Sequence, residues 1–156
     1  MKPLDRALDR VQREVELDGR SHAECVFLQN LEIQIPSKHV PVGNEEQLEI
    51  EQLNELKEVV NRLRSDNMWM EATLNCGTHV IQFLENDVYL DMMVTLYQTD
   101  VYRTLERDMV SCAQILRDLC LMTNDNAGEI TFKIGCAFAK YSDMVYVEEN
   151  TIDMGD

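Results

Sequence analysis

The stretch Ile130-Thr131-Phe132-Lys133-Ile134-Gly135-Cys136-Ala137-Phe138 has the most regular apolar alternation in the chain, and the expected fold is built outward from it. Every second residue from Ile130 to Phe138 is apolar, with Thr131, Lys133 and Gly135 between them. Period two is typical of a strand that buries one face. We therefore predict a strand here whose core or assembly positions are Ile130, Phe132, Ile134 and Phe138.

The segments on either side of this strand predict a helix before it and a hairpin after it. Upstream, apolar residues recur at intervals of four, four, three, four and three, which is helical spacing: Val101, Leu105, Met109, Cys112, Leu116 and Leu119. Turn-forming residues at 124–128 end that helix. Downstream, residues 144–147 predict a second short strand, closing a hairpin through 140–143, and residues 148–156 form a polar tail.

Residues 80–97 leave two interpretations open. Apolar residues fall on every second position from Val88 to Leu96, which predicts a half-buried strand. However, no Gly or Pro occurs between residues 78 and 127, so a long helix over 80–122 is the alternative. Periodicity alone does not distinguish the two.

The N-terminal half predicts two amphipathic helices separated by a loop. Leu4, Leu8, Val11 and Val15 lie on one helical stripe that ends near Gly19, and residues 21–35 change from helical spacing to alternation. Two prolines make 36–44 the clearest loop, after which Asn44 is a good N-cap for a second helix. The apolar stripe of this helix has the spacing of a coiled-coil seam and consists of Leu53, Leu56, Val60 and Leu63.

Composition favours one acidic domain spanning 1–156. The chain has 156 residues, 45% of them hydrophobic, and a formal net charge of -15, which argues against a nucleic acid ligand because phosphates require clustered Lys and Arg. It contains no run of about 18 apolar residues, and its start lacks the apolar segment of a signal peptide. Five scattered cysteines indicate reduced thiols. We expect no membrane association and a cytoplasmic, possibly nuclear, location.

Motifs for catalysis and for metal binding are missing. No glycine-rich phosphate loop and no nucleophile elbow occurs among the six glycines. His22 and Cys25 have metal-compatible spacing without a second ligand pair nearby, and a calcium loop around 124–129 would need ligands at Met122 and Lys133. The sequence therefore predicts no catalytic residue, no metal, no cofactor and no enzymatic activity, with an enzyme whose site forms only on folding as a third hypothesis.

The pattern around the best strand resembles a known family. Leu105-Glu106, Cys112, Ile115-Leu116 and Leu119, then the strand 130–138 and Ser142, resemble the end of the first coiled-coil arm and the first hairpin strand of beta-type prefoldin subunits, subunit 4 in particular. A fainter similarity to alpha-type subunits covers 56–63, 70–76 and 101–106. The resemblance implies a co-chaperone that assembles through its hairpins and holds unfolded clients at the tips of its arms.

Together these observations predict an α+β, mostly helical fold, with coiled-coil-like helices and one or two β-hairpins. The predicted function is a protein-binding subunit of co-chaperone or scaffold type, with other proteins as partners in an oligomer or hetero-complex. The alternative is a small acidic helical adaptor or regulatory protein, cellular or viral, that captures one specific partner. On the first hypothesis, Phe132→Asp disrupts assembly.

Overall fold

The part of the chain that the structure describes is built on one sheet of six strands. The computed structural model describes residues 2–41, 54–55, 57–58, 72–75, 79–86 and 88–146. Two long helices accompany the sheet, α1 (Pro3–Asp18) and α2 (Leu105–Thr123). The strands are β1 (Arg20–His22), β2 (Cys25–Pro36), β3 (Ala72–Asn75), β4 (His79–Asn86), β5 (Tyr89–Asp100) and β6 (Asn126–Lys140).

The strand order is β1-β2-β6-β5-β4-β3, so β6 lies inside the sheet. It pairs antiparallel with β2 on one side and parallel with β5 on the other. Two parallel neighbours need a crossover, and α2 supplies it between β5 and β6. The predicted strand 130–138 is therefore not an edge strand open to another subunit, because β2 and β5 pair with it on its two sides.

The predicted apolar stripes converge on one core. On α1, Leu4, Leu8, Val11 and Val15 are all buried, as their spacing predicted, and α1 contacts β2 and β6. The proline at the start of α1 fits a first turn that needs no intrahelical N–H bond. At the other end, the Gly19 N–H donates to the Val15 carbonyl at 3.1 Å. The second helix, α2, contacts β5 and β6.

The buried side of β6 changes along the strand. Ile130, Phe132 and Ile134 are almost fully buried, at 0%, 0% and 1% exposure. Beyond Gly135 the buried positions are Ala137 and Ala139, while Phe138 is only half-buried. The predicted single buried face thus holds for the first half of the strand only. In the second half the buried residues lie on the opposite face of the sheet.

The two interpretations of 80–97 are decided in favour of strands. Residues 79–86 form β4, and Tyr89–Asp100 forms β5, with Leu90, Met92, Val94 and Leu96 buried on one side. The helical segment begins only at Leu105, after a turn over residues 100–104. The absence of Gly and Pro did not produce a long helix, since alternation buries more apolar surface here.

Other boundaries differ from the prediction or lie outside the described residues. Tyr141–Asp143 is a short 3-10 helix and residues 144–146 are not strand, so the predicted hairpin after residue 140 is wrong. Within the predicted loop, Ser37–His39 is also a 3-10 turn. The predicted seam lies outside the described residues at Leu53, Leu56, Val60 and Leu63, as does the tail 148–156.

The predicted mostly helical, coiled-coil-like fold class is wrong. The described chain is built around a mixed sheet, and its helical stripes face that sheet in a single hydrophobic cluster. The stripes on α1 and β6 are covered by the chain itself, so they need no neighbouring chain. Within the described residues, no helix has the length and apolar character needed to cross a membrane.

Arg117 joins α2 to the turn that follows β2, and we expect its loss to destabilise the fold. Its Nη2 donates to the backbone carbonyls of Ser37 and Val40. Arg117→Met keeps the stem of the side chain but removes both donors, so the free energy of unfolding should fall by about 1–3 kcal/mol. Urea denaturation measures this loss. Arg6→Met, at an exposed position on α1, is the matched control, and equal losses in the two variants would contradict the bridging role.

Candidate functional site

A cleft of about 570 Å³ opens where β5 passes into α2. This point is the carboxyl end of β5, next to its parallel neighbour β6, and ligands of α/β sheets bind preferentially at the carboxyl ends of parallel strands. The cleft is lined by Leu96, Tyr97, Gln98, Thr99, Asp100, Thr104, Arg107, Asp108 and Phe138.

The turn over 100–104 forms the rim of this cleft and is internally hydrogen-bonded. Asp100, at 5% exposure, accepts backbone N–H bonds through Oδ1 from Tyr102 at 3.0 Å and from Arg103 at 3.2 Å. The Thr104 hydroxyl lies 3.1 Å from the Thr99 hydroxyl and accepts the Asp100 N–H at 3.2 Å. A carboxylate that caps its own turn is typical of an Asx-type turn. These three side chains therefore shape the rim.

The remaining lining groups face the cleft with different chemistry. Arg107 is exposed in the first turn of α2, beside Asp108, and Gln98 is exposed at the end of β5. Phe138 contributes a half-buried aromatic ring from β6. The guanidinium can bind an anion, and the neutral amide can hydrogen-bond the polar edge of a ring. The aromatic face can pack against a planar ring.

A second cleft of about 390 Å³ lies near the amino end of β5, and its acidic groups already have protein partners. The Asp91 carboxylate accepts the Glu129 backbone N–H at 2.9 Å. The Glu129 carboxylate in turn accepts the Gln34 amide at 2.6 Å. These groups hold strands together, so the cleft at the β5–α2 junction is the better candidate site.

The structure brings one of the predicted positions to this site. Phe138 lines the cleft, whereas Ile130, Phe132 and Ile134 lie in the core, and the four seam positions are outside the described residues. Their predicted role in assembly is untested and stays a prediction. Sequence reasoning missed the rim and Arg107. The available signal was the polar run 98–100, at the point where period two changes to helical spacing.

Potential metal ligands do not cluster in the described part of the chain. No group of three or more His, Cys, Asp or Glu side chains there could hold a metal ion. Cys25 and Cys136 are half-buried, and Cys112 and Cys120 are buried. None of the four lines the cleft.

Comparison with solved structures shows that the fold of this chain is similar to that of thymidylate synthase. The crystal structure of thymidylate synthase from T4 phage matches with a TM-score of 0.67 and 12% sequence identity, over 96% of this chain and 80% of that chain. No protein-family model and no curated protein matches the sequence. At this level of identity the likeness establishes the fold alone.

This likeness corrects the functional predictions made from the sequence. The chain is not prefoldin-like, because its fold is that of thymidylate synthase and has a mixed sheet in place of coiled-coil arms. The co-chaperone or scaffold function and the helical adaptor both depended on a mostly helical fold, and both are wrong. The prediction that the chain is not an enzyme is contradicted as well, because the matched structure is that of an enzyme.

Proposed function

We propose that the cleft at the β5–α2 junction binds a pyrimidine nucleoside monophosphate and that the chain acts in nucleotide metabolism. The observation that carries the proposal is this cleft, with its mixed lining, in a fold shared with thymidylate synthase. That enzyme is named for thymidylate, which is a pyrimidine nucleoside monophosphate. The cleft volume of about 570 Å³ suits a ligand of this size, since small-molecule sites span roughly 300–1,000 Å³.

The lining offers a different group to each part of this ligand: its phosphate, its pyrimidine ring and the polar edge of that ring. Arg107 provides a permanent cation for the phosphate, and the N-terminus of α2 adds the positive end of a helix dipole. Phe138 offers an apolar surface to the pyrimidine ring. Gln98 has both a donor and an acceptor, which matches the mixed edge of a pyrimidine.

The surrounding charge favours one phosphate over several. Asp108 and Glu106 also lie in the first turn of α2, and the chain as a whole carries a net charge of -15. Each further phosphate would add repulsion without a further cation in the described lining. We therefore expect thymidylate to bind more tightly than thymidine triphosphate, and thymidine to bind weakly because it lacks the group that Arg107 recognises.

Isothermal titration calorimetry on the full chain tests this function. Thymidylate should bind, and Arg107→Gln should weaken binding by about 10- to 100-fold, the effect of losing one or two hydrogen bonds from a charged donor. Thymidine and inorganic phosphate, titrated separately, measure the contributions of the nucleoside and of the phosphate.

The matched control is Arg20→Gln, which makes the same charge change at an exposed position on β1, outside the cleft lining. It should leave thymidylate binding unchanged. If neither thymidylate nor deoxyuridylate bound at about 1 mM, the upper end of common Michaelis constants, the proposed function would be rejected. Equal weakening by the two arginine variants would show a general charge effect and would reject the role of Arg107.

A further inference from the structure

The segment that follows β6 is tied to α1 through a buried carboxylate. Glu16, at 5% exposure, accepts the backbone N–H of Tyr146 at 2.9 Å and also accepts the Tyr102 hydroxyl. The Tyr146 hydroxyl donates to Asp9, about two turns before Glu16 on the same helix. The Arg13 guanidinium lies 5.5 Å from the centroid of the Tyr146 ring. Tyr146 therefore docks this end of the described chain on α1 through its backbone, its hydroxyl and its ring.

The turn over 100–104 is held from the same side. Tyr102 reaches Glu16, and Gln12 of α1 donates to the Val101 carbonyl at 3.0 Å. Arg103 donates through Nε and Nη2 to the Asp143 carboxylate at 2.8 and 3.0 Å. Consecutive residues of the turn thus contact either α1 or the segment 141–146.

The opposite side of this turn is the rim of the cleft. Thr99, Asp100 and Thr104 line the cleft, and the Asp100 carboxylate bonds the N–H groups of the two residues that make the outer contacts. The Val101 N–H donates to the carbonyl of Phe138 at 3.0 Å, which ties the turn to the aromatic wall of the cleft. A shift of Tyr102 or Arg103 would therefore move the rim.

We propose that Glu16, Tyr102 and the backbone of Tyr146 form a clasp that positions the rim of the cleft, so that docking of the segment 141–146 is coupled to ligand binding. All three act as positioning residues, since none of them lines the cleft. Only the part of this inference that concerns the ligand rests on the proposed function. Coupling of this kind is reciprocal, so a ligand in the cleft also stabilises the docked segment.

The chemistry of the clasp explains why one hydroxyl matters. A buried carboxylate that loses a hydrogen-bond donor is still dehydrated, and that free-energy cost is then no longer offset by the hydrogen bond. Water can reach the carboxylate again only if the residues around it move apart. The Tyr102 hydroxyl is protonated and donates at neutral pH, and burial followed by the hydrogen bond to Glu16 raises its pKa, so it also stays protonated in alkaline solution. Removing that hydroxyl should release the turn and the segment together.

Tyr102→Phe tests the clasp without any ligand, by amide hydrogen exchange measured with NMR. We expect roughly tenfold faster exchange at the amide of residue 146 and at the amides of residues 102 and 103, with β6 core amides unchanged. Tyr89→Phe removes a hydroxyl from an exposed tyrosine at the other end of β5 and should change none of them. Unchanged exchange at residues 102, 103 and 146, or a uniform increase that includes β6, would overturn the clasp.

Thymidylate provides the second arm of the test. In the unmodified chain it should slow exchange at the amide of residue 146, and Tyr102→Phe should weaken thymidylate binding by roughly three- to tenfold. Faster exchange at the turn with unchanged affinity would overturn the coupling. Failure of thymidylate to bind the unmodified chain would reject the proposed function, while the exchange measurements without ligand would still decide the clasp.

Discussion

Phe132→Ala is expected to lower the free energy of unfolding by about 3–5 kcal/mol, the usual loss for removing a buried aromatic side chain. Phe132 has 0% exposure at the centre of β6, between strands on both sides. Truncation removes an aromatic side chain from a covered site and leaves a cavity that the paired backbone of three strands cannot collapse to fill. Urea denaturation followed by circular dichroism measures the loss.

Lys133→Ala is the control for this substitution, because Lys133 is the exposed neighbour on the same strand. It should change the free energy of unfolding by less than about 0.5 kcal/mol. Phe132→Asp should abolish folding, since it would place an unpaired carboxylate in the core. A folded Phe132→Asp variant that had merely lost a partner chain would support the predicted assembly role of this strand and contradict the position of β6 inside the sheet.

Gly19→Ala should lower the free energy of unfolding by about 1–3 kcal/mol or more, the usual cost of overpacking. The backbone of Gly19 has φ -74° and ψ 166°, which any residue adopts, so the requirement for glycine comes from space. A Cβ there would lie 2.2 Å from the Val15 carbonyl oxygen, 2.5 Å from Val26 Cγ1 and 2.8 Å from the Phe27 carbonyl oxygen. Two of these atoms are backbone, so α1 and β2 would have to separate.

Gly135→Ala is the milder comparison for this prediction, because a Cβ at Gly135 would meet one close atom, the Tyr97 carbonyl oxygen at 2.9 Å. Its loss of stability in the same urea experiment should be smaller than that of Gly19→Ala. The reverse order would show that the junction between α1 and β2 adjusts easily, against the close approach described here.

Helix and strand periodicity predicted the local elements well where each element buries one clear face. The four-residue stripe of α1, the stripe of α2 from Leu105 onward and the first half of β6 are present where the spacing placed them, whereas Val101, predicted in the same helix as Leu105, lies in the turn before it. Local spacing could not show that β6 pairs with β2, more than 90 positions away, or that β5 runs parallel to it. The assignment to prefoldin failed for this reason, since a helix followed by an alternating strand occurs in both folds.

The candidate site was less accessible to sequence reasoning than the fold. Phe138 was singled out as a core or assembly residue, and Arg107 was not singled out at all. The cleft exists because α2 starts beside the end of β5 while β6 returns next to it, which brings residues 98–108 to Phe138. The spacing of residues along the chain does not predict that residues 98–108 and Phe138 lie side by side. The predicted protein partners, single domain and cytoplasmic or nuclear location stay predictions.

By itself, the sequence determined which faces are apolar, where α1 and α2 bury their stripes, and that residues 130–138 favour a strand, while it left residues 80–97 open between strand and helix. These properties depend on side chains that are close together in the sequence, so the spacing of apolar residues along the chain reveals them. Only the tertiary structure decided the strand order, the parallel pair and the cleft at its carboxyl end. Pairing of strands depends on which distant surfaces exclude water from each other, and many orders satisfy the same local pattern.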